Sequence, residues 1–422
     1  MKILYVSQYF PPEMGAPAAR VSELARHWVS ASHGVMVLTG FPNHPTGVLA
    51  PEYRKKIWRL VLRENSHGIE VVRTWLLPFA NRGAIRRILN YCSFCASSAV
   101  TGSFMPRPDV VIATSPQLLV GLSGWWISRC KGVPFVFEVR DLWPESLAAV
   151  GAGDENSFLH RFMAKVARFL YRRSDHIVVV TAAFKTHLTQ RWNVPEEKIS
   201  VVENGVETTI FRPEAAKDTT PALRIAWRAE GKFVVSYVGT MGMAHGLETI
   251  LGAAAALKES HPEIVFVLVG EGAEKKRIML SARQRNLANV HFVNQQPREA
   301  IPSYIIASDV SLVLLKKTEV FKTVIPTKML ESMACARAVI LGVDGQAREI
   351  LERARAGLFV EPENSTALCD AILRLAADSR LRAELGENGR HYIVEKASRA
   401  AMANIYLGVL GSILQENVIG QR

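Results

Sequence analysis

A lysine and a glutamate stand three residues apart near the start of one apolar helical pattern. The pattern runs from Val324 to Cys335 and contains Lys328 and Glu331. Pro326 suits the first turn of a helix, so both side chains should share one face near the helix start. A helix N-terminus offers free N–H groups and partial positive charge, which suit a phosphate. The pair therefore fits a diphosphate and a sugar diol. The alternatives are a buried Lys–Glu ion pair and a simple acid in the first turn of a helix.

A glycine-rich loop follows the strand pattern at 233–238. It reads Gly239-Thr240-Met241-Gly242-Met243-Ala244-His245-Gly246. Glycines between a strand and a helix allow close backbone approach and a concave group of N–H donors for phosphate. A flexible structural turn is the alternative. The candidate anion-binding residues of this loop are Gly239, Thr240, Gly242 and His245.

Two neighbouring loops are candidates for holding a nucleobase. Gly270-Glu271-Gly272 follows the strand pattern 264–269, and Asn294-Gln295-Gln296 follows 290–293. The carboxyl ends of parallel strands meet at one edge of a sheet, so both loops should lie along the same edge. We count Gly270 and Glu271 as candidate ligand-binding residues, although each loop alone is unremarkable.

The first half of the chain has its own polar loops after strand patterns. Gly15 follows the first strand and can bring backbone N–H groups close to an anion at the next helix. The loop lacks G-x-G-x-x-G, and Thr39-Gly40 stands where a dinucleotide-binding domain needs an acid. Arg140 and Asp141 open a Trp-Pro loop after 134–139 and have either a role in a ligand cleft or a structural ion pair.

These loops require parallel strands to position them, and the chain has the corresponding pattern. Short, continuous apolar runs alternate with helical patterns, as expected for parallel strands covered on both faces. The sequence therefore predicts an α/β protein with two doubly wound, Rossmann-like domains facing a cleft. The predicted strands are 2–7, 35–39, 69–74, 109–114, 134–139, 176–181, 199–203, 233–238, 264–269, 290–293, 309–315 and 338–341.

The predicted domain boundaries follow a lapse in this regularity. Residues 1–206 form the first domain, 207–231 a polar linker, and 232–388 the second domain. The tail 389–422 contains a helical pattern from Tyr392 to Leu414, which we expect to pack back on the first domain.

Composition bounds the partners. Of 422 residues, 49% are hydrophobic and 21% charged, which is typical of a folded protein. The start of the chain resembles a strand rather than a leader, and two uncharged runs are too polar or broken to span a bilayer, so we expect a cytoplasmic protein. Residues 1–200 carry 24 basic against 14 acidic residues. This excess favours an anionic partner, and no basic motif interleaved with aromatics supports nucleic acid.

Metal chemistry has no sequence signature here. No D-x-D motif occurs, and no His, Asp or Glu cluster has ligand spacing. We therefore expect no metal or other cofactor, with protein donors neutralising any leaving phosphate.

Taken together, these loops resemble the retaining family-4 glycosyltransferases of the GT-B fold, over nearly the whole chain. Two further motifs, Phe41 to Gly47 and Arg140 to Pro144, resemble the branch that builds bacterial surface polysaccharides, including N-acetyl-L-fucosamine transferases of O-antigen assembly and a colanic acid transferase. The motifs that carry the family resemblance are Tyr9-Phe10-Pro11-Pro12 with Gly15, Asn204-Gly205-Val206, the Gly239 loop, Gly270-Glu271-Gly272 and Leu330-Glu331-Ser332-Met333-Ala334.

The resemblance implies specific roles. Glu331 would bind the donor ribose, and Gly15 would face the sugar diphosphate. The chain departs from the family pattern: Thr323 replaces the first glutamate of E-x7-E, Thr240 and His245 replace an arginine and a lysine, and Arg140 replaces a histidine. Lys328 would supply the missing phosphate charge, which makes Lys328, Arg140 and Asp141 the candidate catalytic residues.

The implied reaction moves a sugar, with retention, from a nucleotide donor, expected to be UDP-linked, to a polyprenyl-diphosphate-linked saccharide. The rival functions are a nucleotide-sugar epimerase and a non-catalytic sugar-nucleotide sensor. A lipid-linked acceptor implies peripheral association with the inner membrane. Arg82, Arg86 and Arg87 beside Ile88 and Leu89 predict a cationic, partly apolar helix edge for that contact, or a core helix with solvated arginines.

Overall fold

The computed structural model of the chain describes residues 1–43, 47–79, 84–145, 157–216 and 219–420. The chain forms two compact units, and each is built on its own, mostly parallel sheet. The first unit comprises Met1–Glu203 and Ala400–Arg422, and the second comprises Asn204–Arg399. The predicted α/β fold with two parallel-sheet domains is confirmed.

The sheet of the first unit has the spatial order β3-β4-β2-β1-β5-β6-β7-β8. Neighbouring strands are parallel except for β3 and β4, which form an antiparallel hairpin at the edge. The strands are β1 (Lys2–Val6), β2 (Gly34–Gly40), β3 (Val61–Ser66), β4 (Ile69–Thr74), β5 (Val110–Thr114), β6 (Phe135–Val139), β7 (His176–Val179) and β8 (Ile199–Val201).

Helices connect these strands by crossovers. They are α1 (Ala16–Ser30), α2 (Ala84–Phe104), α3 (Val120–Lys131), α4 (Phe158–Arg173) and α5 (Ala182–Trp192). Because crossovers between parallel strands are right-handed, α2, α3 and α4 lie on one face of the sheet and α1 on the other. Close contacts support this order: a Cβ at Gly102 of α2 would meet Ile127 of α3, and one at Gly121 of α3 would meet Leu170 of α4.

The second unit repeats the design with the spatial strand order β11-β10-β9-β12-β13-β14, all parallel. Its strands are β9 (Phe233–Val238), β10 (Ile264–Val269), β11 (Val290–Val293), β12 (Val310–Leu314), β13 (Ala338–Gly342) and β14 (Gly357–Phe359). Its helices are α6 (Thr220–Ala226), α7 (Glu248–Leu257), α8 (Lys275–Gln284), α9 (Ile301–Ile306), α10 (Thr327–Ala334), α11 (Gln346–Ala354), α12 (Ser365–Ala377) and α13 (Ser379–Lys396).

The last helix, α14 (Arg399–Gly420), returns to the first unit. Trp28 of α1 donates its indole N–H to the carbonyl of Ala403 at 3.1 Å. The ring of Tyr406 packs edge-on against Trp28, with centroids 5.3 Å apart. Leu410 and Met402 complete this buried contact with the sheet, so the end of the chain supplies part of the first unit's core.

The structure differs from the sequence prediction in four places, one of which is the three-residue strand β14, which was not predicted. The segment 207–231, predicted to be a linker, belongs to the second unit, where Trp227 and Ala229 pack against β9 and β10. The single helix predicted over Tyr392–Leu414 is two helices, α13 and α14, separated by Ala397 and Ser398. The edge strand β3 was not predicted, because it packs on one side only and its residues Arg63 to Ser66 are polar, so it lacks the continuous apolar pattern of the other strands.

Candidate functional site

Lys328 is fixed beside the glycine loop at the carboxyl end of β9. A Cβ added at Gly239 would lie 3.4 Å from both Nζ and Cε of Lys328. Nζ of Lys328 donates to the hydroxyl of Tyr237 at 2.7 Å and lies 4.2 Å from the centroid of that ring. The hydroxyl in turn donates to the carbonyl of Thr240 at 2.6 Å. The strand, the loop and the start of α10 therefore hold one cation in place.

The surroundings of Lys328 disfavour its charge. Burial lowers the pKa of the lysine to about 7, and the carboxylate of Glu331 only partly opposes this shift. Burial, with a smaller effect of Lys328, also holds the pKa of His245 well below its ordinary value. Nδ1 of His245 is buried without a hydrogen-bond partner. The site is therefore a half-buried cation beside a neutral imidazole, and a bound anion would stabilise the charged lysine.

The glycine loop uses only some of its amides internally. Gly239 N–H donates to the carbonyl of Val269 at 2.9 Å, and Met241 N–H donates to that of Glu271 at 2.8 Å. In the described part of the chain, the amides of Thr240 and Gly242 donate to no group. The amides of Thr240 and Gly242 are therefore available to an anion, whereas the amide of Gly239 is used within the fold. A role for Gly239 in donor binding stays a prediction.

Gly270 and Gly272 have a packing role that the sequence did not reveal. A Cβ at Gly270 would lie 2.0 Å from the carbonyl oxygen of Gly239, and one at Gly272 would lie 2.3 Å from that of Met241. Their φ angles of 149° and 156° also favour glycine. Because both residues lack a side chain, the backbone of the loop after β10 packs directly against the backbone of the loop after β9. A role for Gly270 in holding a donor stays a prediction.

Glu331 lies one turn along α10 from Lys328, but its carboxylate is paired. Oε1 of Glu331 accepts a hydrogen bond from Nη1 of Arg298 at 2.8 Å. The guanidinium carbon of Arg298 lies 4.9 Å from the ring of Phe211. Arg298 was missed because it comes from a polar loop 33 residues earlier. Pro326, predicted to be in the first turn, instead immediately precedes α10.

Glu271 belongs to a second missed contact. It forms an ion pair with Lys275, whose Nζ also donates to Oδ1 of Asn294 at 2.8 Å. Lys275 is only 6% exposed, which is unusual for a lysine without partners. The contact ties together the loops after β10 and β11. The four-residue spacing of Glu271 and Lys275 was the signal that could have indicated it.

Arg140 and Asp141 lie in the first unit, at the carboxyl end of β6. Oγ of Ser115 accepts from the amides of Arg140 and Asp141, at 2.8 and 3.4 Å. Nη2 of Arg140 donates to the carbonyl of Ala16 at 3.4 Å, while its Nε and Nη1 are buried without partners. Burial raises the pKa of Asp141 to about 6, although Arg140 opposes the shift. The pair is thus two poorly compensated charges rather than a closed ion pair.

A buried ion pair that the sequence analysis missed supports this loop. Nε and Nη2 of Arg20 donate to Oε1 of Glu138 at 3.0 and 2.9 Å, and Tyr5 donates to Oε2 at 2.7 Å. Glu138 is fully buried on β6, two residues before Arg140. Burial, followed by the charge of Arg20, lowers the pKa of Arg140. A glutamate inside the apolar strand Phe135–Val139 was the available signal.

Gly15 directly precedes α1. Its φ of 141° and ψ of 163° favour glycine, and its carbonyl accepts from Ala19 N–H at 3.0 Å. A Cβ at this position would meet only Pro17, at 3.7 Å. The helix therefore begins at an open, exposed glycine, as a site for an approaching anion requires.

The predicted membrane edge is only partly described. Arg82 and the side chain of Arg87 lie outside the described residues, whereas Arg86 is exposed in the first turn of α2. No helix in the described ranges is long and apolar enough to cross a bilayer. The same ranges contain no cluster of three His, Cys, Asp or Glu side chains that could hold a metal ion. Metal independence stays a prediction.

Comparison with known proteins identifies relatives of both units. The sequence matches the family "Glycosyl transferases group 1" over residues 221–392 and "Glycosyl transferase 4-like domain" over residues 15–205. It is 23% identical over 394 residues to the glycosyl transferase WcaI of Escherichia coli K12, which is assigned to colanic acid biosynthesis. That alignment covers 88% of this chain and 91% of WcaI.

Solved structures share the fold. Sucrose-phosphate synthase of Thermosynechococcus elongatus has a TM-score of 0.75 at 21% identity, with 99% of both chains covered. HepE of Anabaena in complex with UDP-glucose has a TM-score of 0.71 at 17% identity, with 98% of this chain and 100% of HepE covered. These similarities establish the architecture, while the sequence matches establish the class of enzyme.

Proposed function

Because this chain is a glycosyltransferase of the GT-B fold, we propose that it transfers a sugar from a UDP-linked donor to a polyprenyl-diphosphate-linked saccharide. The transfer retains the anomeric configuration and belongs to the biosynthesis of a surface polysaccharide such as O-antigen, capsule or exopolysaccharide. WcaI supports the polysaccharide context, and HepE, solved with UDP-glucose, supports the donor nucleotide.

The observation that carries the donor proposal is the position of Lys328. Its ammonium lies at the glycine loop and at the N-terminal turn of an eight-residue helix, where backbone partial charge also favours an anion. The unused amides of Thr240 and Gly242 point to the same use. A diphosphate placed here would restore the charge that burial disfavours in the lysine. Gly270 and Glu271 would hold the nucleotide nearby.

Glu331 would bind the ribose diol, as the family resemblance implies. A carboxylate accepts hydrogen bonds from two hydroxyls more strongly than a neutral group does. Arg298 fixes Oε1 of this carboxylate, so Oε2 is the atom best placed to receive a ligand. Arg298 would then orient Glu331 without itself touching the donor.

In the first unit, Gly15 would face the sugar diphosphate, and Arg140 and Asp141 would act on the transferred sugar and the acceptor. The unpartnered Nε and Nη1 of Arg140 suit an anionic or hydroxyl-rich group. In the proposed step the bond between the anomeric carbon and the diphosphate breaks as the acceptor oxygen bonds on the same face. The leaving diphosphate receives the acceptor proton, and Lys328 stabilises its growing negative charge. No metal takes part, and the enzyme works peripherally at the cytoplasmic face of the inner membrane.

A donor screen tests this proposal. The purified chain would be incubated with individual UDP-sugars, with and without lipid extract from a polysaccharide-producing bacterium, and UDP release would be measured. One donor should give release that depends on the extract and survives EDTA. Donor binding without UDP release would favour the non-catalytic sensor. Loss of UDP release in EDTA that added Mg²⁺ restores would overturn the metal-free mechanism.

Glu331→Gln makes the screen specific for the assigned site. The variant should weaken donor binding about tenfold or more, since a hydrogen bond to a charged acceptor contributes about 1.5–3 kcal/mol. Glu384→Gln, an exposed change on α13, is the matched control. Wild-type donor affinity in Glu331→Gln would refute the ribose assignment while leaving the transfer reaction itself open to the screen.

A further inference from the structure

We propose that the outward face of α4 docks the first unit on an anionic lipid bilayer. The helix begins after Ser157, whose Oγ accepts from the amide of His160 at 3.2 Å. Its sixteen residues, Phe158–Arg173, include five lysines and arginines and no acid. None of the catalytic or donor-binding residues lies on this helix, so its composition needs another explanation.

One face of α4 is an ordinary core face. Met163, Val166, Ala167, Leu170 and Tyr171 are buried, with the spacing that places them on one stripe of a helix. This stripe packs on the first unit and accounts for the stability of the helix. The remaining large apolar residues are not needed for that purpose.

The opposite face carries two aromatic rings in solvent. Phe158 is 79% exposed and Phe162 is 46% exposed. Their rings are nearly parallel, with centroids 6.5 Å apart and an interplanar angle of 16°. Exposed phenylalanines one helical turn apart form a contiguous apolar patch, and such patches mark interaction surfaces.

Cations surround this patch. All five lysine and arginine side chains of α4 are exposed, and in the described ranges no carboxylate forms an ion pair with any of the five. Arg168 and Arg173 lie only over aromatic rings, 5.9 Å from Trp192 and 6.0 Å from Phe169. The cations are Arg161, Lys165, Arg168, Arg172 and Arg173.

Neighbouring helices on the same face of the sheet also carry exposed aromatic residues. Trp125 of α3 contacts Phe169 edge-on, with centroids 4.9 Å apart. The next residue, Trp126, is 50% exposed and donates to Oγ of Ser103 at 3.2 Å. Phe104, at the end of α2, is 85% exposed. Three adjacent helices thus present exposed aromatics on the same face of the sheet.

An anionic bilayer matches both features of this surface. Lysines and arginines gain from the negative headgroups, and aromatic rings insert at the headgroup boundary. An acidic protein partner would match the cations but would leave the large, exposed phenylalanines unexplained unless it also offered apolar pockets. The inference deepens the proposed function, on which its biological purpose rests, because it names the surface that would bring the enzyme to a lipid-linked acceptor.

Vesicle binding by the full chain tests the inference. Vesicles of pure phosphatidylcholine would be compared with vesicles containing one-third phosphatidylglycerol, in a co-sedimentation assay over a salt series. The triple variant Arg161→Gln, Lys165→Gln, Arg172→Gln should lower partitioning about 100-fold at low salt. The difference should shrink as salt shortens the screening length from about 10 Å toward about 3 Å. Phe158→Ser with Phe162→Ser should lower binding about tenfold at every salt concentration.

The controls separate this surface from net charge and from folding. Lys276→Gln, Arg283→Gln, Arg374→Gln removes three exposed cations from the second unit and should leave vesicle binding within about twofold. All variants should keep the wild-type melting temperature and the rate of UDP release with a detergent-solubilised acceptor. Equal loss in the control triple would overturn the inference, since net charge alone would then explain binding.

Three further outcomes are decisive. Loss of binding in Arg82→Gln, Arg86→Gln, Arg87→Gln with none in either α4 variant would place the contact on α2 and refute the α4 surface. Wild-type UDP release without vesicle binding would refute docking while the proposed function stands. Vesicle binding without UDP release for any donor would support docking and count against the proposed function.

Discussion

At the scale of single residues, the candidate site is built from charges held where they are poorly solvated. Lys328 has a pKa of about 7 and Asp141 a pKa of about 6, in both cases because burial disfavours the charged form. Groups with strongly shifted pKa values concentrate at functional sites, where a bound ligand can supply the opposite charge or hydrogen bonds that the protein itself does not provide. Each of the two pKa shifts therefore predicts a pH dependence that can be tested separately.

Binding of UDP should draw a proton onto Lys328. Above pH 7 the free lysine is mostly neutral, whereas a bound diphosphate favours its charged form, so uptake should approach one proton per UDP near pH 8. Near pH 6 the lysine is already charged, and the terminal phosphate of UDP, whose own pKa is about 6, should release protons on binding. Affinity should fall up to about tenfold per pH unit above 7. Calorimetry in buffers of different ionisation enthalpy measures the uptake.

Lys328→Arg is the matched variant, because a guanidinium stays charged over this range. It should bind UDP with little proton uptake at pH 8. Undiminished uptake in Lys328→Arg, or none in the wild type, would show that Lys328 does not face the diphosphate.

Asp141→Asn should stabilise the first unit at neutral pH. The folded pKa of about 6 lies above the ordinary 3.8, so the folded state favours the protonated carboxyl. Its stabilising contribution is present below pH 3.8 and is lost as pH rises through 6, so the ionised group at pH 7 is unfavourable. The variant should gain about 2 kcal/mol at pH 7 and much less at pH 4. Urea unfolding checks this, with exposed Asp370→Asn as the control, and a stability loss at pH 7 would contradict it.

How far residues could be predicted depended on whether their partners were close in sequence. Lys328 and Glu331 share a helix turn, so their common face followed from spacing alone. Arg298 reaches Glu331 only through the fold, and no local pattern announces such a contact. The buried pair of Arg20 and Glu138 spans 118 positions for the same reason. The sequence therefore allowed the charged residues of the site to be identified but not their distant ion-pair partners.

At the scale of elements, two loops that looked like independent ligand sites form one structure. The loops after β9 and β10 exchange backbone hydrogen bonds. Gly270 and Gly272 have positive φ angles and lie so close to backbone oxygens of the other loop that a side chain would clash. Glycines in neighbouring loops can therefore serve the packing of backbone on backbone as well as the approach of a phosphate.

Gly270→Ala and Gly242→Ala separate these two uses. The Cβ at Gly270 would lie 2.0 Å from a backbone oxygen at a φ of 149°, so the second unit should lose about 3 kcal/mol of stability or more. At Gly242 the φ is −105° and the Cβ would meet only Thr240, at 3.7 Å, so stability should change by less than about 1 kcal/mol. Thermal unfolding of both variants measures the contrast. Equal stability of the two would refute the packing role.

Strands that are buried on both faces could be predicted from the sequence, whereas a strand that is buried on one face only could not. Strands such as Ile264–Val269 are buried on both faces and read as continuous apolar runs. The edge strand β3 alternates exposed and half-buried residues, most of them polar, and was missed. Helix α6 was assigned to a linker because Thr219, Thr220 and Pro221 belong to a polar, proline-containing cluster, yet proline suits a helix start.

At the scale of the whole molecule, the chain passes from the first unit to the second and returns. The return is anchored at Val206, whose amide donates to the carbonyl of Ala397 at 2.9 Å and whose carbonyl accepts from Arg399 at 2.8 Å. From Ala400 onward the chain belongs to the first unit again. The first unit therefore folds around residues nearly 400 positions apart, and its core should be sensitive to changes in α14.

Tyr406 tests this dependence through two substitutions. Its ring is fully buried against Trp28, so Tyr406→Ala should destabilise the first unit by about 3–5 kcal/mol through the cavity that it leaves. Its hydroxyl is buried without a hydrogen-bond partner, so Tyr406→Phe should be neutral or slightly stabilising. Urea unfolding followed by tryptophan fluorescence measures both effects. Because the residues proposed to hold the nucleotide, Lys328, Glu331 and the Gly239 loop, lie in the second unit, UDP affinity below the transition should stay unchanged in both variants. A large loss in Tyr406→Phe would mean that the hydroxyl is bonded, and stability retained in Tyr406→Ala would mean that α14 is not part of the first unit's core.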